Sequence, residues 1–263
     1  MLQALLWDVD GTLAETERDG HRVAFNTAFA EMGLGWHWGV ARYGRLLRVT
    51  GGFERLLAAM AEETDAPALA GEREALARAL HRRKNSAYAA LVHEGAIPLR
   101  PGVGELLAQA AAAGLRQAIV TTTSRTNVEA LLGRHLGPGW RARFATVVCG
   151  EDVRAKKPDP EAYQLALAAL RLPALATLAI EDSCAGATAA RAADVPVLVA
   201  RSAYFGTDPI EAAVAIGPGL HQREGWQPAA TGPAPAPGAG AGAVTLADLR
   251  EWHARMELVS GAG

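Results

Sequence analysis

The sequence predicts an α/β protein: a Rossmann-like parallel sheet with helices on both faces and an α-helical block inserted after the first strand. Three patterns carry that expectation. From residue 98 onward, short apolar runs alternate with helical stretches, as in a series of βαβ units. Between residues 15 and 97 only helical periodicity occurs. Several apolar runs end in acids or hydroxyls, at Asp8, Thr121 and Glu181-Asp182-Ser183. Right-handed crossovers bring such strand ends to one edge, where ligands of these sheets bind.

The elements follow in order. "QALLWD" is a short buried strand running into Asp8. In the helical block, Phe25, Ala28, Phe29 and Met32 fall at i, i+3, i+4 and i+7 and make one apolar face. Leu56, Leu57 and Met60 make a second, and Leu76 with Leu80 a third. "PGVGELLAQAAAAG" is a helix closed by Gly114, and "RQAIVT" a strand. "SRTNVEALLGRH" is a helix capped by Ser124, and "ATVVCG" a strand. "DPEAYQLALAALRL" is a helix capped by Asp159, with Pro160 in its first turn. "ATLAIED", "CAGATAARAAD" and "VPVLVA" continue as strand, helix and strand, and "AAVAI" offers one strand more. The Pro/Ala/Gly-rich stretch 227–243 reads as a flexible loop. "VTLADLREWHARM" is a last helix, with Leu246, Leu249 and Trp252 or His253 facing the core. The expected division is a core of 1–14 and 98–263 and a helical cap of 15–97, hinged near 14–16 and 98–101.

Composition narrows the function. Half the residues are hydrophobic and 21% charged, a globular balance, and the net charge of −2 gives no pull toward nucleic acid or an anionic membrane. Cys149 and Cys184 show no CxxC spacing, so a disulfide framework or zinc site is not expected and a reducing cytosol fits. No basic leader precedes Asp8, and no apolar run approaches the roughly 20 residues that span a bilayer. A cytoplasmic monomer acting on a small molecule is the expectation.

Asp8, Asp10, Glu181 and Asp182 should therefore meet at one edge with Thr121 and Lys157. Crowded carboxylates repel unless a cation joins them. Hard oxygen ligands suit Mg²⁺, and a cation beside an ammonium and hydroxyls makes a phosphate site. Gly11 lets the chain turn sharply between strand and helix.

"DVDGT", the hydroxyl after "IV", the lysine of "KP" and "EDS", in this order and on these elements, resemble the haloacid dehalogenase superfamily of phosphohydrolases. The likeness covers roughly 1–14 and 98–220, and the insertion point matches the helical-cap subgroup. One DxDGT alone would be weak; four ordered motifs at predicted strand ends are specific. The resemblance implies that Asp8 is the nucleophile and that Asp10 protonates the leaving oxygen, then deprotonates the attacking water. It implies Mg²⁺ on the Asp8 carboxylate, the Asp10 carbonyl and Asp182, with Glu181 assisting directly or through water. Thr121, with backbone N–H groups near Thr122, would hold phosphoryl oxygens, and Lys157 would neutralise charge. Thr122 is an alternative to Thr121 by register, and Lys156 to Lys157. Cys184 is read as a small packed residue, and Trp7 as core where the family commonly has Phe.

"AETERDGHRVAFNTAF", "GLGWHW", "YGRLLRVTGG" and "VTLADLREW" resemble the CbbY branch of that superfamily. Its members dephosphorylate xylulose 1,5-bisphosphate, a misfire product that inhibits Rubisco, which implies a Calvin cycle setting. The branch pattern would place Lys where this chain has Phe53. A bisphosphate needs a second cationic pocket, with Arg22, His21, Arg42, Arg45, Arg48 and Arg55 as candidates. Glu17 and His21 are the expected polar substrate contacts, and Trp36, Trp38 and Tyr43 the cap's own core. Another sugar-phosphate or phosphoglycolate phosphatase, or a phosphomutase of the β-phosphoglucomutase type, would use the same core residues. A non-catalytic binding protein is disfavoured because Asp8, Asp10 and Lys157 are all present.

Overall fold

In the computed structural model, residues 1–206, 210, 213–228 and 242–260 are described. Seven strands form one sheet in the order β3-β2-β1-β4-β5-β6-β7. They are β1 (Ala4–Trp7), β2 (Arg116–Val120), β3 (Thr146–Val148), β4 (Thr177–Glu181), β5 (Val197–Ala200), β6 (Ala215–Gly217) and β7 (Gln227–Pro228). The first six are parallel and β7 runs antiparallel to β6. Gln227–Pro228 was expected to begin a loop and instead forms this edge strand; the rest of that stretch, 229–241, lies outside the described residues. Edge position tolerates Pro228, whose nitrogen cannot donate to a ladder.

Strand β1 lies in the middle and is wholly buried, so it is apolar on both sides. Leu5 and Trp7 join one apolar layer, Ala4 and Leu6 the other, following the two-residue period of a strand. The first layer is closed by helices α5 (Val103–Ala112), α6 (Arg125–Leu136) and α9 (Leu246–Ser260). Leu246, Leu249, Trp252 and His253 of α9 are all buried, so the last helix docks as its pattern predicts. The second layer is closed by α7 (Glu161–Leu170) and α8 (Cys184–Ala192). The Trp7 indole donates to Gln117 Oε1 at 3.1 Å, which satisfies the one polar atom it carries into the core.

Between β1 and α5 run a π-helical turn (Glu17–His21), α1 (Arg22–Glu31), α2 (Val40–Leu46), α3 (Gly52–Ala59) and α4 (Ala70–His93). Phe25, Phe29, Trp36, Trp38, Tyr43, Leu56 and Leu80 pack together as a separate cluster. Met32 does not join it: α1 ends at Glu31 and the side chain is exposed. The far half of α4 behaves differently, because Tyr88 and Val92 belong to the layer of Leu5 and Trp7. That helix thus spans from the aromatic cluster to the sheet.

Helix starts at the strand-end edge depart in detail from expectation. Ser124 occupies the cap position of α6, yet its hydroxyl makes no capping bond; both oxygens of Glu151 accept the Arg125 N–H at 3.1 Å instead. Helix α7 begins at Glu161 with Pro160 at its cap position, and Asp159 Oδ1 accepts the Glu161 N–H at 2.9 Å. Ser183 caps α8 by accepting from Gly186 N at 3.1 Å. Among the described residues no helix is long and apolar enough to cross a membrane.

Candidate active site

Register assembles the site. Trp7 stands beside Ile119 on one side and Ile180 on the other. One residue on, Asp8 comes level with Glu181, and Thr121 leaves β2 a residue later. All three are buried, as are Asp182 and Lys157. Lys157 Nζ donates to Asp8 Oδ1 at 2.8 Å, to Glu181 Oε1 at 2.6 Å and to the Val120 carbonyl at 2.7 Å. The lysine thus bridges two carboxylates and a strand end. Lys156, the alternative, points away and pairs with Glu54 at 2.7 Å.

The acids crowd as expected. One oxygen each from Asp8, Glu181 and Asp182 lie within 4.8 Å of one another. Burial and the neighbouring Glu181 charge push the Asp8 carboxyl up to about 7, against the pull of Lys157. Burial, Asp8 and Glu181 push Asp182 well above the carboxylate range. Lys157 keeps its proton despite burial, because Asp8 and Glu181 face it. Glu181 Oε2 and Asp182 Oδ2 are buried without a hydrogen-bond partner. Three carboxylates grouped this closely, two of them with a buried oxygen that no protein donor reaches, fit a hard dication.

Two glycines make room for these acids. Gly11 has φ of +83°, and a Cβ there would lie 2.0 Å from Asp182 Oδ2. A Cβ on Gly186 would lie 1.9 Å from Glu181 Oε2. Gly11 therefore serves close approach as well as the turn. Arg100 ties the same turn down, donating to the carbonyls of Gly11 and Ala200.

Asp10 sits at the mouth of this cluster, facing the inserted helices. Its Oδ1 accepts the Thr16 hydroxyl at 2.6 Å and lies 3.0 Å from His21 Nε2. Burial opposes its ionisation, yet His21, Thr16 and Lys84 hold it well below the usual carboxylate range. The π-helical turn aims Glu17 and His21 inward, a use of extra-residue turns common at functional sites.

A cavity of about 490 Å³ joins the acids to the inserted helices, lined by Asp8, Asp10, Glu17, His21, Arg55, Thr121, Thr122, Lys157, Glu181 and Asp182. The acids, Thr121, Thr122, Lys157, Glu17, His21 and Arg55 expected from the sequence thus all line one space. Thr121 is buried and its Oγ1 accepts the Thr123 N–H at 3.2 Å, whereas Thr122 is half-buried. Arg55 reaches the wall and donates to Tyr43 Oη at 2.9 Å and the Leu46 carbonyl at 3.2 Å, with Glu17 Oε2 3.7 Å away. Tyr43 in turn donates to Glu17 Oε2 at 2.5 Å. Of the other candidate arginines only Arg48 lines the cavity; Arg42 pairs with Glu63 at 2.7 Å, and Arg22 and Arg45 bond backbone carbonyls of their own turns. Phe53 lies outside the cavity, half-buried against the aromatic cluster. Cys184, expected to be packed, is exposed on the cavity wall, because α8 turns its first residue toward solvent.

Several lining groups escaped the sequence reading. Lys84 is buried on α4, over the rings of Phe25 and Tyr88, and burial draws its ammonium down to about 8. His81, one turn earlier, is drawn down to about 4 by burial with Lys84 and Lys156 nearby. The signal for Lys84 was its place in the stripe Ala77, Leu80, Lys84, Tyr88, Val92, all buried on one helix face. Ser124 Oγ and Asn127 Oδ1 line the cavity as buried atoms without partners. Tyr163 donates to Glu181 Oε1 at 2.6 Å from behind the acids.

Comparison with known proteins places this geometry. A family model described as haloacid dehalogenase-like hydrolase matches residues 2–194. The plasmid-encoded protein CbbY of Cupriavidus necator is 44% identical over 252 residues, covering 96% of this chain and 97% of its own. The crystal structure of CbbY from Rhodobacter sphaeroides in complex with phosphate superposes with a TM-score of 0.77 at 40% identity, over 83% of this chain and 95% of that one. A point mutant of that protein, in complex with xylulose-(1,5)bisphosphate, gives a TM-score of 0.78 at 39% identity over the same shares.

Proposed function

The chain belongs to the haloacid dehalogenase-like hydrolases and, within them, groups with the CbbY proteins, and we propose that it hydrolyses xylulose 1,5-bisphosphate to xylulose 5-phosphate and phosphate with Mg²⁺. The observation that carries the reading is a continuous cavity that joins a buried Asp8–Lys157 pair to a second polar end on the inserted helices. The likeness to a CbbY crystallised with this bisphosphate supports the substrate.

In this reading Asp8 attacks phosphorus, the bond to the sugar oxygen breaks, and Asp10 gives that oxygen a proton. An aspartyl phosphate remains on Asp8. Asp10, now a base, takes a proton from water as that water attacks phosphorus, and Asp8 is restored. Lys157 holds the nucleophile in place and offsets its charge as phosphate arrives. Thr121 and the N–H groups around Thr122 hold phosphoryl oxygens. The Asp8 carboxylate, the Asp10 carbonyl, Asp182 and Glu181 would hold Mg²⁺, which supplies neutralising charge between nucleophile and phosphate. At the other end the cations of Lys84 and Arg48 suit a second phosphate. Arg55 positions Glu17 through Tyr43, leaving Glu17 and His21 to meet sugar hydroxyls. Residues 15–97 act as the cap over the core of 1–14 and 98–263. The enzyme works as a cytosolic monomer.

The test is phosphate release with Mg²⁺ from xylulose 1,5-bisphosphate, ribulose 1,5-bisphosphate, phosphoglycolate and hexose phosphates. The expected kcat/KM for the first exceeds the others at least about a hundredfold, or about 2.7 kcal/mol of transition-state discrimination. A flat profile, or a preference for phosphoglycolate, overturns the substrate and leaves the phosphatase chemistry.

A further inference from the structure

The consecutive lysines 156 and 157 reach in opposite directions. Lys157 goes inward to Asp8 and Glu181. Lys156 crosses to α3 and meets both oxygens of Glu54 at 2.7 Å. Glu54 precedes Arg55, the residue that holds Tyr43 and, through it, Glu17. One ion pair therefore links the helix that organises the sugar end of the cavity to the loop that carries the lysine of the phosphate end. The pair stands at the cavity's rim, where Lys156, Gly51 and Gly52 all form the wall.

The backbone is shaped to admit this pair. Gly51 has φ of +96°, and a Cβ there would lie 2.2 Å from Glu54 Oε2 and 2.6 Å from Lys156 Nζ. Any other residue would push the two groups apart. Tyr204 and Phe205, from the loop after β5, also pack on the aromatic cluster. Tyr204 stacks edge-on against Tyr43 at 5.8 Å. The inserted helices thus meet the core through apolar contacts, at Tyr204–Phe205 and along the far half of α4, and through this ionic one.

We propose that Glu54 and Lys156 are positioning residues that latch the helical cap over the core, bringing Arg55, Glu17 and the sugar end of the cavity into register with Asp8 and Lys157. This rests on the reading of residues 15–97 as a cap. The ionic side is the releasable one: the pair is partly exposed, at 23% for Lys156 and 42% for Glu54, so it forms and breaks in water at low cost. The apolar contacts, those of Tyr204, Phe205 and the far half of α4, stay packed and act as the pivot.

Glu54→Gln and Lys156→Ala each remove the latch, and the double swap Glu54→Lys with Lys156→Glu restores it. Spin labels at Ala61 on the cap side and Arg191 on α8, in a Cys184→Ser background, report cap position without any substrate. The single variants should shift the label distances toward a longer, broader distribution, and the swap should return them to that of the parent. In parallel, kcat/KM for the fastest panel substrate should fall about fivefold in each single variant, mainly through KM, and recover in the swap. Turnover of acetyl phosphate, too small to span the cavity, should not change. Unchanged distances in the single variants, or a swap that fails to restore them, overturn the latch. If the sugar bisphosphate is not the substrate, the distance changes persist while the panel result fails, so the two readings are separable.

Discussion

His21 Nε2 lies 3.0 Å from Asp10 Oδ1, joining the turn that opens the inserted helices to the second acid of the "DVDGT" stretch. With Thr16 on the same oxygen, this contact keeps Asp10 ionised in spite of burial. Asp10 is thereby preset as the base of the second step; to act as the acid of the first step it must take up a proton, and His21 Nε2 is the group placed to pass one to it. His21→Asn should lower kcat about a hundredfold. It should also move the acid limb of the kcat–pH profile upward, because Asp10 loses the partner that depresses its pKa. An unshifted limb would show that Asp10 is not tuned by His21.

Lys84 gives a pH dependence of the opposite sense. Its ammonium is drawn down to about 8 by burial, so the charge it places on the cavity wall disappears as pH rises through that value. KM for a bisphosphate should rise above about pH 8. Lys84→Arg, which stays charged, should flatten that rise. The same group makes the fold more stable as pH climbs from about 8 toward its ordinary value of 10.5. Over that interval the unfolded chain holds the proton that the folded chain has released. Urea melts at pH 7 and pH 9.5, wild type against Lys84→Met, measure this directly.

Gly11 tests the metal assignment with no recourse to activity. A methyl at this position collides with Asp182 Oδ2 and sits at a positive φ. Gly11→Ala should cost about 1–3 kcal/mol of stability and weaken Mg²⁺ binding at least about tenfold, read by calorimetric titration. In wild type, Mg²⁺ should raise the melting temperature, and more so as pH rises through about 7, where the metal-free Asp8 carboxyl gives up its proton. A Gly11→Ala protein that binds Mg²⁺ normally would place the cation elsewhere.

Much of this architecture is legible in the sequence for identifiable reasons. Buried parallel strands carry continuous apolar runs such as "ALLW" and "LAI", and the acid that follows each, Asp8 or Glu181, is conspicuous. Asp8, Thr121, Lys157, Glu181 and Asp182 stand out because the chain places acids and hydroxyls where burial should exclude them. Lys84 is hidden by the reverse effect: one lysine in a long charged helix looks like solvent-facing charge until the stripe from Ala77 to Val92 is traced. Ser124 looks like a cap, and only the structure shows Glu151 taking that bond and leaving the hydroxyl in the cavity. Arg22, Arg42 and Arg45 are indistinguishable from Arg48 by type. Their partners lie far along the chain or in their own turns, and periodicity does not encode them.

The measurement closest to the central claim is chemical trapping of the intermediate. Enzyme, Mg²⁺ and xylulose 1,5-bisphosphate are mixed, quenched within the first turnover and treated with borohydride, which reduces an acyl phosphate to an alcohol. Peptide mass analysis should find homoserine at position 8 and nowhere else, only when substrate is present. The Asp8→Asn protein should show neither the product nor turnover above trace. Reduction at another carboxylate, or an active Asp8→Asn protein, would contradict the assignment of Asp8 as the nucleophile.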